Sequence, residues 1–401
     1  MDEYASQISI LYSIIEADFD EKIGLYLEYF TLMQDYTITF VDNKNGKDNY
    51  TRMLNIFNID PKFLFSPFTS NRLYTLNSKF AEDPFSKLKY FFDISLDTSI
   101  VSYIGRYQEK KQLEGPTKEI VEKLGKHRFY ASTVNFSPYI NENCLFSKEI
   151  TPTNRDTIYN FFYYLNKFHY RFDFQAKFKS KQSTNKLLKN QGILSVSPIE
   201  DRLRHQYKIM HSSLLMISLQ VFKSSTVKQK LLEILDFMAN DIKAIDLCLL
   251  EIAAVYFHKK QKLSFFGKIQ KGNKDILAEI RNLTWDIFHL RHQEFLLGVE
   301  PVKGIDVNLV LFCTLDKRLI EIKDIIKLKA IAYNKRTLNH YPFYDLENVK
   351  KMLTKEEMHE YFQIDKHIDR VSTKLSIDFE SVITDLENKV YDFYVGSNPK
   401  N

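Results

Sequence analysis

Cysteine is scarce, with 3 in 401 residues, at positions 144, 248 and 313. The count is odd, the three are far apart and each sits among apolar neighbours. That pattern excludes a disulfide scaffold and gives a Cys-based zinc site no spacing to stand on. Buried free thiols in a reducing compartment are the expectation. Charge of one sign is lacking too: 56 basic against 51 acidic side chains leave a formal +5. The whole molecule is not a polycation, so any nucleic-acid affinity has to come from local patches. No apolar run approaches the roughly 18–20 residues that cross a bilayer. The start, MDEYASQISILYSIIEADFDEK, is acidic and lacks the basic-then-apolar order of a signal peptide. A soluble, cytoplasmic protein without a membrane partner is therefore expected.

What the chain has is apolar mass. Hydrophobic residues make up 44%, with 32 Phe and 24 Tyr, ample for packed cores and too many for disorder. The length suits roughly two or three domains of about 100–200 residues, or one domain with large insertions. The most ordered signal is Leu309 to Ile325, LVLFCTLDKRLIEIKDI. Five apolar residues, a Thr, then Asp316 and the basic pair Lys317 and Arg318 read as a buried strand that ends by presenting a carboxylate. Helical spacing resumes at once with Leu319, Ile322, Ile325 and Ile326 on one face. Groups at the carboxyl ends of strands line the binding crevice of an open α/β sheet, which makes Asp316 the first candidate for chemistry.

Further acids stand in telling places. LKYFFDISLDTSIVSYIGRY, residues 88–107, reads as a short strand that breaks at Asp97 and passes into a helix start. Thr98 or Ser99 is a candidate cap there, and Asp97 is either a projecting acid or itself the cap. Glu142 lies within residues 129–146, after their strand-like, aromatic start and Pro138, exposed on a turn or held there for a reason. Glu251 lies within a long apolar helix, where a carboxylate is costly unless paired or bound to a metal. Residues 276–300 form an amphipathic helix with the only Trp; Ile280, Leu283, Ile287 and Leu290 make its apolar stripe, and Asp286, His289 and Gln293 share a neighbouring face. His289 and His292 are read as polar helix positions rather than metal ligands.

Residues 166–190 interleave cations, among them Lys167, Arg171, Lys177 and Lys179, with five aromatic rings. Cations that meet phosphates and rings that stack on unpaired bases are what single-stranded nucleic acid needs, although an amphipathic surface strand gives the same pattern. Residues 259–274 are a second basic patch. The charged stretches beyond 336 read as solvated helices.

In order along the chain, ISLDTSIVSYI, the helix TWDIFHLRHQEF and the strand LVLFCTLDKRL resemble the PIN-domain nucleases: an acid after an early strand, an acid on a helix, and an acid after a later strand followed by a basic residue. The resemblance implies an α/β fold, a PIN-like parallel sheet flanked by helices, here with extensive helical additions. It divides the chain into an N-terminal helical and aromatic region (1–87), a PIN-like domain (88–335) with a basic, mostly helical insertion at about 146–235, and a charged helical C-terminal region (336–401). It further implies a metal-dependent endoribonuclease, in which Asp97, Asp286 and Asp316 hold Mg²⁺ or Mn²⁺ and Glu142 or Glu251 completes the shell or orients water. Thr314 would tie the loop carrying Asp316, and Lys317 or Arg318 would touch phosphate. RNA is then the partner ahead of DNA. A role as a growth-arresting toxin or defence effector would add a protein inhibitor, or a homo-oligomer, to the partners. The competing expectation is a non-catalytic nucleic-acid-binding or helical interaction protein.

Overall fold

Val307–Cys313, VNLVLFC, is apolar at every position but Asn308, the pattern of a strand covered on both faces rather than one. A computed structural model of the chain describes residues 2–84, 87–110, 115–126, 134–146, 151–154, 156–158, 160, 198–259, 263–297, 305–326, 328–337, 339–373 and 376–396. In it Val307–Cys313 is strand β7, buried at every position. Leu309, Val310, Leu311 and Phe312 have 0% of their surface exposed, each contributing about 1.5–3 kcal/mol of burial. The one polar residue, Asn308, donates its side-chain N–H to the Leu296 carbonyl at 2.9 Å, while its Oδ1 is buried without a donor.

β7 lies in a four-stranded sheet of order β3 (Leu64–Phe65), β7, β5 (Tyr90–Leu96), β6 (Val134–Asn135). β5 is parallel to both β6 and β7, and in register with β7 from Tyr90 opposite Val307 to Leu96 opposite Cys313. β3 is antiparallel to β7. The chain therefore leaves β5 toward β6 on one side and returns as β7 on the other. The sheet reverses its order at the carboxyl end of β5, and crevices in open α/β sheets form at such reversals.

A second sheet is antiparallel throughout, in the order β2 (Lys47–Asp48), β4 (Arg72–Leu76), β1 (Tyr36–Val41), β8 (Leu328–Asn334), β9 (His340–Tyr344). Helices surround the two sheets. Those that place the sites are α1 (Asp2–Glu16), α2 (Thr98–Lys110), α3 (Ser137–Cys144), α4 (Pro198–Gln220), α5 (Leu247–His258), α6 (Ile276–Leu297), α7 (Lys317–Lys323), α8 (Glu347–Met352), α9 (Ile364–Thr373) and α10 (Phe379–Tyr394). α6 packs on β7 and, with α10, against α4. Cys248 and Cys313 are buried free thiols. Among the described residues no helix is long and apolar enough to cross a membrane.

The α/β expectation fits this architecture, but the three successive regions do not stand apart. Residues 1–87 supply β1, β2 and β4 to one sheet and β3 to the other, and β1 pairs with β8 from Tyr36 opposite Asn334 to Phe40 opposite Ala330. The C-terminal region contributes β9 as well as helices. A local pattern of apolar residues marks a strand without naming its partner, so pairings across nearly the whole chain leave no trace in the sequence.

Candidate active site

Asp97 is the residue after β5, and Asp316 is the N-cap of α7, three residues past β7. Parallel pairing carries both to the same end of the sheet, and the Asp97 backbone N–H continues the ladder to the Cys313 carbonyl at 2.9 Å. Asp97 is buried, accepting from the Thr98 amide at 2.8 Å, the Ser99 hydroxyl at 2.6 Å and the Thr314 hydroxyl at 2.9 Å. Thr314 Oγ1 in turn accepts the Asp316 amide at 3.0 Å. One side chain therefore ties both acids together.

The polar face of α6 looks onto this end of the sheet. Gln293 donates to Ser95 on β5 at 3.1 Å. His289, 1% exposed, stands between two acids, with Nδ1 3.9 Å from Asp97 and Nε2 4.0 Å from Glu142. Asp286 meets Arg318, whose Nη2 is 3.2 Å from Asp286 Oδ2 and 2.9 Å from Asp316 Oδ2. The contact with Asp286 is an ion pair without hydrogen-bond geometry, so Asp286 Oδ2 is buried with no donor on it. Glu142 sits on α3, which packs on β5 and on α2. Pro138 at the start of that helix sets the entry, since its fixed φ suits a first turn and its missing N–H costs nothing there. The Glu142 side chain is 34% exposed.

These acids feel one another. Burial, offset in part by the Ser99 and Thr314 hydrogen bonds, raises the Asp97 carboxyl above its ordinary value, and Asp316 adds to the rise. Burial likewise raises Glu142, and the charge of Asp97 reinforces it. Asp286 is driven furthest, by burial first; Arg318 opposes the rise, while Asp316, Asp97 and Glu142 all push it higher. At Asp316 burial is outweighed by hydrogen bonds from Arg318 and from the Arg318 and Leu319 amides, so its carboxyl is held low. Burial pushes His289 down to about 3, with help from His292, so the imidazole is neutral. One end of the parallel sheet thus collects four mutually repelling carboxyls, a neutral imidazole and one guanidinium.

Asp97 and Glu142 flank His289, and Asp286 and Asp316 flank Arg318, at the same end of the sheet; Glu251 does not join them. Its carboxylate, 2% exposed, accepts from the Asn348 amide at 2.9 Å, the Asn348 side chain at 2.6 Å and the Val349 amide at 3.0 Å. It closes the start of α8 from a distant helix, a structural use of the acid that corrects its place among the site candidates. Glu142, read as lying on a turn, is helical. Arg318, expected on phosphate, is the internal counter-ion of two site acids, whereas Lys317 is exposed at the first position of α7. Lys167, Arg171, Lys177 and Lys179 lie outside the described residues.

The charge of the donor set suits a hard divalent cation, which takes oxygen ligands, and the undonated Asp286 oxygen is a buried acceptor in want of a positive partner. As the side chains stand, however, no three His, Cys, Asp or Glu residues among those described gather closely enough to hold an ion. Sequence reasoning singled out the acids, gave His289 and Gln293 no role in a site, took Ser99 only as a cap candidate and did not single out Ser95. The shared helical face of Asp286, His289 and Gln293 was the available signal for two of them. No protein-family model matches the chain, and comparisons with curated proteins and with solved structures give no match.

Proposed function

We propose that this chain is a PIN-like, metal-dependent nuclease that hydrolyses RNA phosphodiesters. The observation that carries the reading is the convergence of Asp97, Glu142, Asp286 and Asp316 at the carboxyl ends of β5 and β7, where the order of the parallel sheet reverses. Asp97, Asp286 and Asp316 would hold Mg²⁺ or Mn²⁺. When bound, such an ion activates water and stabilises the charge that develops on a phosphodiester under in-line attack. Glu142, the most accessible of the four, completes the shell or takes the proton of the attacking water. Neutral His289 stands between Asp97 and Glu142 without adding charge. Thr314 holds Asp316 in line with Asp97, and exposed Lys317 is placed to meet phosphate.

The test is cleavage of single-stranded RNA by purified protein in Mg²⁺ or Mn²⁺, with Asp97→Asn and Asp316→Asn beside it. Loss of cleavage in both variants is the expected result, and cleavage at the unmodified rate in either overturns the reading. The neutralisation of Asp286 and Asp316 by Arg318 favours a second reading, a non-catalytic protein whose α/β sheet serves binding. Salt-sensitive RNA binding that survives both substitutions, without cleavage, would select it.

A further inference from the structure

Arg370 on α9 is 8% exposed, yet among the described residues no carboxylate forms an ion pair with it and no acceptor takes a hydrogen bond from it. Burial lowers its pKa, and the nearby Tyr12 and Asp369 offset only part of that cost. A guanidinium withdrawn from water and only partly compensated is expensive. Here it opens onto a cavity of about 420 Å³ enclosed by α1, α4, β9 and α9, within the size range of small-molecule sites. Arg202, Lys243, Arg291 and Arg370 line it against a single acid, Asp246. That acid is already neutralised, because Arg291 Nη1 lies 2.7 Å away while Arg291 Nε holds Glu294 at 2.7 Å. Among the described lining residues the basic side chains therefore outnumber the acids, and the one lining carboxylate is already held by Arg291.

Part of the cavity's remaining wall is aromatic. Tyr12 and Phe343 meet edge to face with centroids 5.3 Å apart, and Tyr341 lines the cavity from the same strand as Phe343. The planar guanidinium fork matches pairs of oxygens on oxyanions such as phosphate, and aromatic faces hold flat heterocycles. We propose that this cavity is a second ligand site, separate from the acid cluster, which takes a nucleotide with its phosphate on Arg370 and its base against the Tyr12 and Phe343 rings. The shared chemistry is a phosphate joined to a heterocycle, supplied by a free mononucleotide or by the 5′ end of an RNA strand. The inference stands whether or not the acid cluster is catalytic.

Isothermal titration of the full chain with ribonucleoside 5′-monophosphates, with adenosine, with inorganic phosphate and with a 5′-phosphorylated oligonucleotide tests it. The expected result is saturable one-site binding of a mononucleotide or of the phosphorylated end. It should be at least about tenfold tighter than adenosine or phosphate, weakened about tenfold or more in Arg370→Gln, and unchanged in Asp97→Asn. The stronger of the two arms identifies the source. Tyr12, 47% exposed, is a substitution site that spares the core, and Tyr12→Ala should weaken nucleotide but not phosphate. Hydrogen-exchange protection of α9 and β9 on titration needs no variant at all. Absence of nucleotide binding at about 1 mM, equal binding in Arg370→Gln and Tyr12→Ala, or loss of binding in Asp97→Asn alone overturns the proposal.

Discussion

Thr314 Oγ1 donates to Asp97 Oδ2 at 2.9 Å, across the junction between the two central parallel strands. The same oxygen accepts the amide of Asp316, so a single hydroxyl sets where two of the four acids stand. Thr314→Val keeps the shape and removes both bonds. It is expected to cost about 1–2 kcal/mol, because buried partners lose a neutral hydrogen bond while Asp97 keeps Thr98 and Ser99. If the cluster is catalytic, kcat should fall with little change in KM, and Thr314→Ser should restore most of it. Urea denaturation and steady-state cleavage measure the two effects, and a Val variant as active as the unmodified chain would remove Thr314 from the site.

Asp286 makes a prediction about pH. Its folded pKa lies well above the ordinary aspartate value of 3.8, through burial and three neighbouring acids. Between those two values the folded chain keeps a proton that the unfolded chain has lost, so stability falls as pH rises through the window and the full cost remains above it. Asp286→Asn removes that cost. The variant should be more stable than the unmodified chain at neutral pH by about 1–2 kcal/mol, with the gap closing toward about pH 4. Denaturation midpoints at both pH values decide this, and a variant less stable at neutral pH would mean that the ion pair with Arg318 outweighs the repulsion. Added Mg²⁺ should raise the midpoint of the unmodified chain and leave that of Asp286→Asn in place.

The parts of this site legible in the sequence are those that local chemistry dictates. VNLVLFC reads as a covered strand, and the acid three residues beyond it stands at the strand end, where it caps the next helix. The face shared by Asp286, His289 and Gln293 follows from helical spacing alone. Other features depend on partners far along the chain. Glu251 looked costly among Leu250 and Ile252, and the residues that satisfy it, Asn348 and Val349, lie almost a hundred positions away. The pairing of β1 with β8 is hidden for the same reason, as is the use of Arg318 as a counter-ion, since a basic residue beside an acid reads equally well as a phosphate contact.

Glu251→Ala separates structural from catalytic acids. Three donors at the start of α8 would lose a charged acceptor in a buried setting, at a cost of about 2–4 kcal/mol. Activity per folded molecule should be unchanged, since the site acids keep all their partners. Glu251→Gln can still accept but brings two surplus hydrogens, so it should fall between. Thermal unfolding alongside RNA cleavage provides the check; a stable but inactive Glu251→Ala would return this residue to the catalytic set.

Arg318 decides between the two readings of the site. Its guanidinium bridges Asp286 and Asp316, and hydrogen bonding to Asp316 raises its own pKa further. Arg318→Met keeps an unbranched apolar stem and removes the guanidinium and its charge, leaving Asp286 and Asp316 to repel each other. With the Arg318 side chain 25% exposed, solvent screens part of the loss, and about 1–2 kcal/mol of stability at neutral pH is the expected cost. A divalent ion competes with this guanidinium for the same two carboxylates, so the variant should bind Mg²⁺ or Mn²⁺ more tightly than the unmodified chain and recover its lost stability on metal addition. Titration calorimetry with Mn²⁺ gives the comparison directly. Tighter binding in Arg318→Met supports a metal site held closed by its own arginine, and absence of binding in both proteins leaves the acids as an internal ion-pair network and removes the basis for a metal-dependent nuclease.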